Sequence, residues 1–269
     1  MVKSYPMLAL GFIGLGARAM AGLVPVQDVD SGAVAGWVKP GVSLKLSSGS
    51  GEYVVFAGAG EEVSLALALG DRSPADVQWK VTPEGEPGQV VAEGTAVLTP
   101  ENATFEPSTV REQNESTVQA LTQRVVFKAS KAAAYKIEIQ SSRPVSFLLR
   151  EDVGRRPHGV LGGENGLSLP TWVQTPAYFY VAPGVEKLTF TADKSRSPSF
   201  DVKVMAGDGT EVFSKKGAVV GESLEITVPD PSTGKILALV SNAFIDFRIP
   251  EAGPVFGREP ELLLVPAPK

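Results

Sequence analysis

Two stretches decide how this chain is read: "RSPADVQWKVTPEG", Arg72 to Gly85, and "RSPSFDVKVMAGDG", Arg196 to Gly209. Each starts on Arg-Ser-Pro, continues in alternating apolar residues and closes on an acidic residue followed by Gly. Alternation with a period of two is the pattern of a β-strand with one buried face, and acidic-Gly pairs are hairpin-turn residues. The question is whether one small fold is written twice.

A shift of 125 positions answers it over much of the chain. Tyr53 then meets Tyr178, Ala57 meets Ala182, Glu61 meets Glu186, Val63 meets Leu188 and Leu65 meets Phe190. A one-residue gap brings the two Arg-Ser-Pro triplets together, and its removal aligns Asp76-Val77 with Asp201-Val202. Both copies open on Trp-Val, at Trp37 and Trp172. Both end on a Gly/Pro-rich passage before a Leu-x-Leu segment and Pro, "EDVGRRPHGVLGGENGLSLP" and "EAGPVFGREPELLLVP". Agreement of order and spacing at a fixed offset marks a duplicated unit.

The same alternation recurs in "VSLKL", "EVSLALAL", "YKIEIQ", "SLEITV" and "ILALVS", each bounded by turn residues. Helical spacing is nearly absent; the polar stretch around "TVREQNESTVQALTQ" alone could hold a short helix. Many short strands without helices pack as two face-to-face sheets. The expected fold is all-β: two tandem antiparallel β-sandwich, jelly-roll-like domains.

At the N-terminus Lys3, the apolar run "MLALGFIGLGA" and the small-x-small triplet Ala19-Met20-Ala21 form the three parts of an export signal. The apolar run is too short for a membrane-spanning helix, which takes about 20 residues. The expected division is a signal peptide over 1–21, a short linker over 22–36, a first sandwich over 37–151, a Gly/Pro-rich connector over 152–171 and a second sandwich over 172–269. Cleavage after Ala21 removes Lys3 and Arg18 and leaves 23 basic against 30 acidic residues, a net −7. The product belongs in the periplasm or outside the cell. The first copy is longer by "PENATFEPSTVREQNESTVQ", a polar insertion over 100–120 read as a loosely ordered surface excursion. It carries two Asn-x-Ser/Thr triplets, at Asn102 and Asn114.

Composition excludes several chemistries. There is no cysteine, so disulfides, thiol nucleophiles, zinc-thiolate sites and an acylated Cys anchor are absent. With an acidic balance and no Lys/Arg stripe, nothing attracts a phosphate backbone, so nucleic acid is not an expected partner. One histidine, His158, cannot make a multi-His metal site. It would have to be the base of any Ser-His-Asp triad, with Ser146 or Ser168 nearby in sequence, but no G-x-S-x-G elbow is present. The simpler reading is a surface histidine in the connector. Glu61-Glu62, Glu84, Glu86 and Glu151-Asp152 could supply a carboxylate pair for glycoside hydrolysis, yet they fall in turns and on polar strand faces.

"YFYVAPGVEKLTFTAD", "FDVKVMAGDGTEVF" and "LEITVPDPSTGKILALVS" in the second copy resemble the bacterial pre-peptidase C-terminal (PPC-like) domains and related carbohydrate-binding-like sandwiches. The resemblance covers about ninety residues of that copy, and the first copy more loosely. It implies a non-catalytic module of exported proteins. No catalytic domain is expected beside the modules in these 269 residues, a departure from the usual context of such modules.

Sugar recognition needs flat exposed rings beside polar groups. "AYFY" puts Tyr178 and Tyr180 on one strand face and Phe179 on the other; Trp172 precedes them and Trp37 is its counterpart. Core packing is the competing reading for all four, and Trp79, between Val77 and Val81, is assigned to the core. Asp193 and Asp208 offer oxygen ligands for a structural calcium ion, although Asp208-Gly209 is equally a hairpin turn. No other cofactor is expected. The expected function is therefore an exported, non-catalytic protein that binds a polysaccharide or a protein at or outside the cell envelope. The alternatives are an architectural envelope module without a small ligand, and a secreted hydrolase using acidic residues.

Overall fold

A computed structural model describes residues 22–26, 44–45, 50–69, 75–99, 104–111, 116–142, 145–148, 156–162, 167–169, 176–257 and 259–267. The expected signal peptide with Ala19 and Ala21, most of the linker, Trp37, Trp172, Glu151-Asp152, Asn102 and Asn114 lie outside them.

Strands are the dominant elements of the described residues, which contain no α-helix. The first half contains β1 (Leu23–Pro25), β2 (Leu44–Lys45), β3 (Ser50–Ala57), β4 (Glu62–Leu69), β5 (Ala75–Pro83) and β6 (Ala92–Leu98). It continues with β7 (Thr104–Arg111), β8 (Ser116–Lys128), β9 (Ala133–Ser141), β10 (Val145–Leu148) and β11 (His158–Leu161). The second half contains β12 (Leu167–Leu169), β13 (Ala177–Val181), β14 (Lys187–Ser195), β15 (Phe200–Ala206), β16 (Glu211–Ala218) and β17 (Ser223–Thr227). It ends with β18 (Lys235–Ser241), β19 (Ile245–Arg248), β20 (Ala252–Gly257), a 3-10 turn over Pro260–Leu262 and β21 (Leu264–Pro266). Every pairing is antiparallel.

The strand orders of the two halves coincide. In the first half one sheet runs β11-β3-β9-β5-β6 and the facing sheet β2-β10-β4-β8-β7. In the second half the orders are β20-β13-β18-β15-β16 and β12-β19-β14-β17. Replacing each strand by its counterpart turns one list into the other, with β7 extra. Register agrees too: Val77 faces Ser141 on the β5–β9 ladder, and Val202 faces Ser241 on β15–β18.

Between the halves there is no break in hydrogen bonding. β11 pairs with β20 through Val160↔Phe256 and Leu161↔Val255, so two five-stranded sheets become one of ten strands. The connector expected over 152–171 is thereby revised: it supplies β11, a strand buried at all four positions. Gly159 permits the seam, because a Cβ there would lie 2.6 Å from the Phe256 carbonyl oxygen. The apolar interior crosses with the sheet. Tyr53 and Val160 share one buried cluster with Phe179 and Phe256, and the Phe179–Phe256 and Phe256–Phe247 rings meet at 5.6 and 5.7 Å.

The polar insertion is likewise corrected. Most of 100–120 folds as β7 and the start of β8, a hairpin at the edge of the five-stranded sheet rather than a loose excursion or a helix. Its Thr and Val residues suit a pleated surface even where the composition is polar.

The ten-stranded sheet buries part of its outer face as well. Val54, Ala134, Leu161, Tyr178, Ile236, Ala238 and Val255 are covered there by Leu23, Leu263, Leu264 and Val265. The cover is a two-stranded strap, and both strands read Leu-Val-Pro: Leu23↔Pro266, Val24↔Val265, Pro25↔Leu264. Backbone bonds at Val26 N–H to Leu263 O (3.0 Å) and Ala267 N–H to Gly22 O (2.8 Å) bracket the ladder. Their two-residue spacing leaves Pro25 and Pro266 where an N–H would point away from the partner, the positions proline tolerates in a strand.

Candidate functional site

The residues weighed for chemistry make contacts within the fold. His158 is 2% exposed, not a surface residue. Its Nδ1 donates to the Arg156 carbonyl at 2.6 Å, and its ring packs 6.0 Å from Tyr53. Burial holds its pKa below the usual histidine value. Ser146 and Ser168 lie on β10 and β12, in sheets other than that of β11. Glu61 accepts the Gly58 N–H at 2.8 Å and pairs with Arg156; these contacts lower its carboxyl pKa, the Gly58 bond most. Glu86 pairs with Lys131, and Glu62 faces Lys128 across the β4–β8 ladder.

Asp193 and Asp208 sit on different sheets. Arg248 takes both oxygens of Asp193, at 2.8 and 2.6 Å, while Asp208 closes its own turn by accepting the Thr210 N–H at 2.8 Å. Gly209, at φ +83°, completes that turn. Among the described residues no three acidic or histidine side chains gather around a metal-sized point.

The aromatic candidates are more informative. Tyr178 and Tyr180 share the outer face of β13, with Phe179 turned to the interior. Tyr178 is fully buried beneath the 3-10 turn, and its hydroxyl has no hydrogen-bond partner among the described residues. Burial and the nearby Glu261 carboxylate push its pKa up to about 12. Glu259 beside it is also raised, by burial first and then by Glu261. Tyr178 is therefore cover for the sheet, not an open platform.

Tyr180 is half-buried at the margin of the strap cluster. Two glycines make its place. A Cβ at Gly234 would lie 2.2 Å from the Tyr180 hydroxyl oxygen and 2.8 Å from its ring, and a Cβ at Gly253 would lie 3.0 Å from the Tyr180 carbonyl oxygen. The β17–β18 loop is pinned alongside: Gly184 N–H donates to Pro231 O at 2.7 Å, and Asp230 accepts from Ser232 (2.6 Å) and Lys235 (3.1 Å). Asp230 itself sits at φ +43°, a left-handed backbone uncommon for a side-chain-bearing residue. Met205 extends the apolar margin of Tyr180 one strand away, past β18, whereas Lys235, paired with Val181, belongs to the other face of the sheet.

The first half holds different chemistry at the same place. On the ladder matched above, Tyr178 faces Ala238 where Glu52 faces Glu138, and Tyr180 faces Ile236 where Val54 faces Lys136. Lys136 bridges Glu52 at 3.1 Å and Glu138 at 2.7 Å. One outer face carries an ion-pair cluster and the other a pair of tyrosines, so the shared strand order does not require the tyrosines. The matched ladder also corrects the sequence alignment: Tyr53 corresponds to Phe179, not to Tyr178. Trp79, assigned to the core, is partly buried against it, with its indole lying over Gly94.

No protein-family model, no curated protein and no solved structure matches the chain.

Proposed function

We propose that the protein is an exported, non-catalytic binding protein made of one β-sandwich unit duplicated in tandem. Its second copy recognises a polysaccharide at or outside the cell envelope through Tyr180. The observation that carries this reading is the divergence of the two outer faces. Where the first half has Glu52, Lys136 and Glu138 in an ion-pair cluster, the second has Tyr178, Ile236 and Ala238, and the half-buried Tyr180 stands where the first half buries Val54. Glycines under and beside Tyr180 keep the ring seated against backbone, which limits the rotamer freedom lost on binding. The β17–β18 loop that brings Gly234 to the ring also carries Asp230 and Ser232, acceptors and donors of the kind hydroxyl-rich ligands need. His158, Glu61 and Glu86 support the non-catalytic part, since each is engaged in holding the fold.

The test is a glycan array with wild-type protein and Tyr180→Ala. Binding should be lost in the variant while its thermal midpoint stays within a few degrees, because a half-exposed ring contributes little to the core. Wild-type binding by Tyr180→Ala would refute the site.

An architectural role is the second reading, favoured by the seam. A continuous β11–β20 ladder joins the two halves, a connection suited to a spacer between envelope components. An empty glycan array together with capture of a second envelope protein would select it.

A further inference from the structure

The strap begins one residue past the expected cleavage point. Leu23 is 4% exposed, and its N–H turns away from β21 to meet Glu84 Oε2 at 3.3 Å. Glu84 follows β5 and is half-buried. Its carboxyl is raised above the ordinary range, chiefly by burial, with only partial relief from the Leu23 N–H and the charge of Lys136. Lys136 is already bound to Glu52 and Glu138. The Glu84 carboxylate is therefore short of positive charge. The backbone nitrogen of Gly22 lies one peptide unit from the Leu23 N–H, on an exposed residue where an added Cβ would meet nothing within 4 Å among the described residues.

We propose that Gly22, once freed, is the docking end of the fold: hydrolysis of the Ala21–Gly22 bond creates an α-ammonium that pairs with Glu84 and locks the strap. Water supplies the hydroxyl that joins the Ala21 carbonyl carbon as the C–N bond breaks. The nitrogen leaves as an amine and is protonated near neutral pH. A leader-processing peptidase is the co-reactant. The ion pair forms beside an apolar cover of Leu23, Leu263, Leu264 and Val265, where water competes less for the charges than on an open surface. Leader removal would then stabilise the mature chain directly. This inference rests on the export reading, and the experiment separates the two.

The fraction in which the protein is recovered and its N-terminal mass come first: full-length protein kept inside the cell overturns both readings, and an exported start other than Gly22 overturns the docking alone. With that start in hand, four proteins are compared: the chain beginning at Gly22, the same chain with Ala21 retained, and each with Glu84→Gln. The free Gly22 start should melt about 2–4 °C above the Ala21 start, the shift expected of an ion pair worth about one kilocalorie in a chain this size. Its α-amine should titrate above the usual value of about 7.7–8.0. Both differences should vanish with Glu84→Gln. N-acetylation of the Gly22 start should remove the gain without touching Glu84. Equal midpoints for the two starts, or a gain that survives Glu84→Gln, would overturn the docking while leaving export intact.

Discussion

Gly159 stands where β11 meets β20, and its replacement by alanine probes the seam between the halves. A Cβ there would lie 2.4 Å from Val255 Cγ1 and 2.6 Å from the Phe256 carbonyl oxygen. The valine can rotate away. The carbonyl belongs to the main chain of the neighbouring strand and retreats only if the ladder opens. Overpacking costs about 1–3 kcal/mol, and contact with backbone places this change at the upper end, about 3 kcal/mol. At roughly 2–4 °C per kcal/mol for a chain of this size, the melting midpoint should fall by about 6–12 °C. Scanning calorimetry should show one endotherm moved as a whole, because both halves share the seam and one apolar interior. Gly88→Ala, where a Cβ meets nothing within 4 Å, is the matched control and should shift the midpoint little. An unchanged midpoint for Gly159→Ala, or a scan splitting into one shifted and one unshifted transition, would refute the reasoning.

Acid should destabilise the protein through His158. Burial lowers its folded-state pKa, so as pH falls the unfolded chain takes up the proton first. The stabilising difference is complete above about pH 6.5 and is lost as pH drops below it. Urea midpoints measured from pH 7 to 5 should decline less steeply in His158→Gln, and an equal slope would contradict the buried neutral imidazole. Chelator should leave the wild-type midpoint unchanged, because Arg248 already holds both oxygens of Asp193; a chelator-induced drop would reinstate structural calcium. Gly94→Val should displace the Trp79 ring, since a Cβ there lies 2.2 Å from the indole. Tryptophan emission should shift to the red with a fall of several degrees in the midpoint, and an unchanged spectrum would mean the ring does not lie over Gly94.

Much of this architecture was legible in the sequence, and the failures have physical causes. Alternation located β4, β5, β14 and β15, and the offset of 125 holds there: Val63 and Leu188, like Val77 and Val202, occupy matching buried positions. It fails by one at β3 and β13 because "YVVFA" and "YFYV" are apolar on both faces. The long sheet buries its outer face at that point, so no pattern of polar residues fixes the register. The sequence of β11 reads as a connector for a related reason. His-Gly-Val-Leu is short, buried on both sides and set among Gly and Pro, which read as turns when the partner strand lies nearly a hundred residues away. The β7–β8 hairpin was missed because its polar composition hid β-branched residues suited to a sheet edge.

At the candidate site, the sequence placed Tyr178 and Tyr180 on one strand face. What it could not convey is that the C-terminal turn covers Tyr178 while two glycines leave Tyr180 at the margin. Those contacts join residues distant along the chain and leave no local signature. The two Leu-Val-Pro triplets pair across nearly the whole length of the chain, a contact with no local sequence signal.

Amide hydrogen exchange across β11 and β20 tests the joined sheet most directly. If the two halves form one ladder, the Val160, Leu161, Val255 and Phe256 amides, taken together, should exchange as slowly as those of β3 and β13 and open with them at a single free energy. Exchange at β11 and β20 as fast as in the turns, with β3 and β13 still protected, would mean two separate sandwiches joined by a linker.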